Sequence, residues 1–125
     1  MESINFKNSF KEYAVNGDDS KVIRIKLNPD MLNKIHNAMS EIDHFSDGIN
    51  ENNITEMGRK LCEIINNAFG TDICTPAFDG ENPFSVVDGG KFLFESFFEA
   101  FMPVFEADMK SLEIRPEVKK YLEKS

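Results

Sequence analysis

The sequence predicts an α+β fold: an N-terminal β-hairpin followed by three main α-helices, mostly helical overall, with a short C-terminal helical tail. Three observations predict it. Apolar and polar residues alternate over residues 21–27, apolar residues recur at helical spacing in three separate stretches, and Gly- and Pro-containing breaks divide those stretches. At 125 residues the chain has the size of a single domain, 1–125, long enough to close a core without disulfide or metal staples.

The hairpin region covers residues 1–27. Ile23, Ile25 and Leu27 fall on one side of the second arm, with Val22, Arg24 and Lys26 on the other, the pattern of a half-buried strand. The first arm ends near Tyr13-Ala14-Val15. Between the arms, Asn16-Gly17-Asp18-Asp19 supplies residues that tolerate positive φ. Ile4 and Phe6 are candidates to extend the sheet.

Two helices occupy residues 28–70. In Asn28-Pro29-Asp30, Asn28 is the expected cap, and Pro29 suits the first helical position, where its missing N–H costs nothing. Met31, Leu32, Ile35, Ala38, Met39, Ile42 and Phe45 then form one stripe. After a polar loop, Asn53 and Glu56 have the spacing of a capping box. The helix that follows carries Ile54, Met57, Leu61, Ile64, Ile65 and Ala68, and it ends at Gly70, a natural left-handed cap. Residues 71–90 hold Pro76, Asp79-Gly80, Asn82-Pro83 and Gly89-Gly90, so they read as a long loop packed by Ile73, Phe78 and Phe84. The long Phe-rich helix spans residues 91–112, with Pro103 expected to kink it. The tail, residues 113–125, presents Val118, Tyr121 and Leu122 as its apolar side.

The formal charge of −8 argues against nucleic acid, whose affinity for proteins comes largely from Lys and Arg displacing counterions. The first residues show no basic region followed by an apolar run, and no stretch reaches the ~18 apolar residues of a membrane span. The expectation is a cytoplasmic chain, bound neither to membrane nor to nucleic acid, in which Cys62 and Cys74 remain thiols.

No catalytic, cofactor or metal site is expected from the residue pattern. Asp43, Asp47 and Gly48 match three positions of a calcium loop, but Phe45, Asn50 and Ile54 stand where a ligand, an apolar residue and the bidentate Glu belong. His36 and His44 have no nucleophile in a recognisable setting. Cys62 sits within an apolar helix, as a buried inert thiol does, and Cys74 lies in the loop with more freedom. Gly89-Gly90-Lys91 lacks the spaced glycines of a phosphate cradle and reads as a turn and cap. Asn53-Ile54-Thr55 matches a glycosylation acceptor and, in an unsecreted chain, reads as the helix cap.

Twelve phenylalanines are the unusual feature of the composition. At ~100° per residue the apolar side chains of the last helix cover about half its circumference, more than the ~100° stripe of an ordinary surface helix. Two arrangements accommodate that width. Either the helix is central and clasped by the hairpin and the other helices, or part of the stripe meets a partner. Phe92, Phe94, Phe97, Phe98, Phe101 and Phe105 are the candidate interface residues, with a homo-oligomer or another protein as partner.

The order of a short hairpin, two helices, the Phe69-Gly70 break, the segment Phe78-Asp79-Gly80-Glu81-Asn82-Pro83-Phe84 and a long closing helix resembles the small tail-module proteins of long-tailed phages and prophages of Gram-positive bacteria. The tail assembly chaperones are the type it is most similar to. The resemblance implies a non-enzymatic cytoplasmic protein that self-associates and holds tape measure or tail tube subunits. A second reading is an acidic inhibitor or DNA mimic, against which the lysines interspersed among the carboxylates count.

Overall fold

Alternation of side chains makes the first element. Val22–Lys26 (β2) turns Ile23 and Ile25 into the core and leaves Val22, Arg24 and Lys26 outside. It pairs antiparallel with Phe10–Ala14 (β1), Tyr13 lying opposite Ile23. The turn is made by a 3-10 segment, Val15–Gly17, in which Asn16 and Gly17 take φ of 53° and 73°, as the Asn-Gly pair predicts. The computed structural model describes residues 1–6 and 10–111. Ile4 and Phe6 do not extend the sheet: no strand includes them and they are 86% and 78% exposed, so pairing there would bury no apolar surface.

Met31–Ser46 (α1) and Ile54–Phe69 (α2) pack together as a helical pair. Met31, Ile35, Ala38 and Ile42 are the buried face of α1. Its start differs from expectation. Asn28 and Pro29 precede the helix in a turn closed by the Met31 N–H donating to the Asn28 carbonyl at 3.2 Å, and Asp30 occupies the cap position without a side-chain bond. Asn53 likewise does not form a capping box. Its side chain is spent on the interhelical loop, accepting the Asn50 N–H at 2.8 Å and donating to the Gly48 carbonyl at 3.0 Å. Gly70 ends α2 with φ 70°, as predicted.

The segment predicted as an irregular loop contains ordered pieces. Cys74–Phe78 (α3) is a short helix, and Val86–Val87 (β3) pairs with Lys91–Phe92 (β4) across Gly89-Gly90. Ile73, Phe78 and Phe84 are buried, so the expectation that this segment packs on the core holds. Phe92 belongs to β4 and is not in the helix. The helix proper, α4, is Leu93–Lys110. Its first N–H groups are satisfied from the preceding segment, Leu93 donating to Ser85 at 2.7 Å and Phe94 to Pro83 at 2.9 Å, while the Glu95 carboxylate accepts the Phe92 N–H at 3.1 Å. Pro103 does not divide α4, which stays helical through it; the proline is exposed, and so is Glu99, whose carbonyl loses the partner N–H. Residues 112–125, including the predicted tail, lie outside the described residues.

The elements share one core, in which Ile23, Ile35, Leu61, Ile65, Phe84 and Phe105 are almost wholly enclosed. Phe84 is ringed edge-on by Phe92 and Phe94 at 5.2 and 5.3 Å, and Phe69 packs on Phe98, Phe101 and Phe105 at 6.3, 5.9 and 5.3 Å.

Candidate functional site

The width of the α4 stripe resolves into two parts. Phe94, Phe98, Phe101, Phe105 and Met109 are buried, and at ~100° per residue they span an arc of only about 80°. That is ordinary core. Of the other apolar residues, half-buried Met102 borders one edge of that arc, and Leu93, Phe97, Ala100 and Val104 lie on the opposite flank, the first two half-buried and the last two exposed. Four of the six candidate interface residues, Phe94, Phe98, Phe101 and Phe105, are therefore core side chains of this chain. Phe92 and Phe97 retain partial exposure, Phe92 against Phe84 and Phe97 at the edge of the flank.

This flank faces the hairpin. Tyr13 from β1 meets the Phe101 ring edge-on at 5.1 Å, and its hydroxyl donates to Asp108 Oδ2 at 2.7 Å. Burial, and then the Asp108 carboxylate that the hydroxyl donates to, push the Tyr13 phenol well above its ordinary range. Phe97 is held between Phe78 and Phe101, at 5.7 and 5.2 Å. Between β1 and α4 a groove of about 410 Å³ remains, lined by Tyr13, Val15, Ile23, Phe97, Ala100 and Val104. Val104 is 52% exposed at its border. Among the described residues β1 pairs only with β2, and its other edge has no strand partner there. Ala100 and Tyr13 went unnoticed as site residues because their role depends on where the hairpin docks. The one signal available beforehand was angular, since positions 97, 100 and 104 share a helix side.

The other residues weighed in the sequence are scattered. His36 and His44 are exposed on α1. Asp43 lies within α1 and Asp47 at its end, so no calcium loop opens there, and among the described residues no group of three His, Cys, Asp or Glu side chains gathers as metal ligands would. The cysteines exchange their expected roles: Cys74 is buried in α3, whereas Cys62 on α2 is half-buried. Among the described residues no helix is long and apolar enough to cross a membrane.

No protein-family model, curated protein or solved structure matches this chain. Function therefore rests on the site itself.

Proposed function

We propose that this chain is a non-enzymatic interaction protein that self-associates and binds other proteins through the groove between β1 and α4. The observation that carries the reading is the apolar flank of α4, Phe97, Ala100 and Val104, set beside the unpaired edge of β1. An apolar floor supplies the area that association needs, and a free strand edge supplies main-chain hydrogen bonds to an added strand. With the order of its elements, this supports a small cytoplasmic tail-module protein of a phage or prophage, of the tail assembly chaperone type, with tail tube or tape measure protein as the client.

Molar mass by light scattering tests the first part. The wild type is expected as a homo-oligomer, and Val104→Asp and Ala100→Asp as folded monomers with unchanged circular dichroism. A wild type that is monomeric at every concentration overturns self-association. Tail genes on either side of its own support the phage assignment, and unrelated neighbours count against it.

A further inference from the structure

A second cleft, about 620 Å³, opens beside α2 and α3 and is lined by Arg59, Cys62, Asn66, Asp72, Cys74 and Thr75 among others. It holds both cysteines of the chain. Asn66 brings them together. It lies one helical turn beyond Cys62 on the same face of α2, and its side-chain oxygen accepts the N–H groups of Ile73 at 2.8 Å and Cys74 at 3.2 Å. The Asn66 amide donates to Asp72 Oδ1 at 3.2 Å, which also accepts the Thr75 N–H at 3.1 Å. The start of α3 is thereby clamped to α2, and both cysteines line the cleft that the two helices share.

We propose that Cys62 and Cys74 form a hydroperoxide-sensitive dithiol, in which Cys62 is oxidised first and Cys74 resolves it to an intrachain disulfide fastening α3 to α2. The two sulfurs differ in the way such a pair requires. Cys62 is the more exposed, and the hydrogen bond from Cys74 lowers its thiol, against opposition from burial and the Asp72 charge. Cys74 is held protonated by its bond to Cys62 and by burial. In the first step the Cys62 thiolate attacks one oxygen of a hydroperoxide. The O–O bond breaks, the leaving oxygen takes a proton as water or an alcohol, and Cys62 becomes a sulfenic acid. That acid is neutral, so the anion which kept Cys74 protonated is gone. Cys74 then loses its proton and attacks the Cys62 sulfur, the S–O bond breaks, and the oxygen leaves as water. Two thiols lose two electrons, and the hydroperoxide gains them.

The test exposes the full chain to hydrogen peroxide and follows it by peptide mass spectrometry. The wild type is expected to lose two hydrogens and yield one joined pair of peptides, those containing Cys62 and Cys74. In Cys74→Ser a sulfenic acid accumulates on Cys62 and is captured by dimedone, whereas in Cys62→Ser the remaining thiol oxidises about ten-fold more slowly or less. Disulfides only between chains, dimedone first on Cys74, or two free thiols after an exposure that oxidises glutathione would each overturn the proposal. If a serine variant fails to fold, the wild-type peptide map and its early dimedone labelling still decide.

Discussion

Tyr13 and Asp108 are 95 positions apart, yet one hydrogen bond between them ties the hairpin to α4. The bond needs a neutral phenol, and the folded chain holds Tyr13 above the ordinary 10.0. Because the shift is upward, the stability this group contributes is fully present below pH about 10 and is lost as pH rises above it. Tyr13→Phe should therefore cost ~1–2 kcal/mol at neutral pH, and denaturant titrations of the two proteins should converge as the buffer is taken above pH about 10. Gly58 is buried inside α2, and a Cβ there would stand 2.5 Å from Asn82 Oδ1. Asn82 cannot swing away cheaply, because its amide donates to the Ile54 carbonyl at 3.0 Å and its oxygen accepts the Phe84 N–H at 2.9 Å. Gly58→Ala should thus destabilise by ~1–3 kcal/mol, although helix propensity alone would favour alanine by ~1 kcal/mol. In an Asn82→Ala background the same substitution should become neutral or stabilising, which a double-mutant cycle would read directly.

At the scale of elements, α4 separates two kinds of apolar residue that its sequence presents together. Phe105 is fully enclosed and packs on Phe69 and Phe101, so Phe105→Ala should cost ~3–5 kcal/mol by thermal or denaturant unfolding. Val104, its neighbour, should tolerate aspartate with little change in stability and show its effect in association state instead. The β2 strand and the extents of α1 and α2 were legible because their buried positions keep a period of two or of about 3.6. The short pieces between α2 and α4 were not. Cys74–Phe78 is too short to show a period, and β3 and β4 have two residues each, so only tertiary hydrogen bonds define them. The caps were misjudged for a related reason. Asn53 has the right spacing to cap α2, but its side chain bonds to Gly48 and Asn50 in the preceding loop instead.

Over the whole molecule, the described cations are interleaved with carboxylates. Lys21 pairs with Asp79 at 2.8 Å, Lys34 with Asp30 at 3.4 Å, and Lys91 with Glu99. These pairs are exposed, so they add little stability. They break up the acidic surface that a DNA mimic would need, which is why the interaction reading is preferred to that one. Much of the phenylalanine content is accounted for by this fold, since Phe69, Phe78, Phe84, Phe94, Phe98, Phe101 and Phe105 build its core. What remains for a partner is narrower than the sequence suggested: the Phe97, Ala100 and Val104 flank beside β1.

Local periodicity and backbone preference, which act within a few residues of chain, specify the α+β class, the hairpin with its Asn-Gly turn, the principal helices and the glycine that ends α2. Which phenylalanines are core, the tie from Asn66 on α2 to Cys74 on α3, and the meeting of Tyr13 with Asp108 emerge from packing. Those outcomes depend on contacts between positions distant in sequence, whose geometry follows from how the helices and hairpin pack and not from any local pattern.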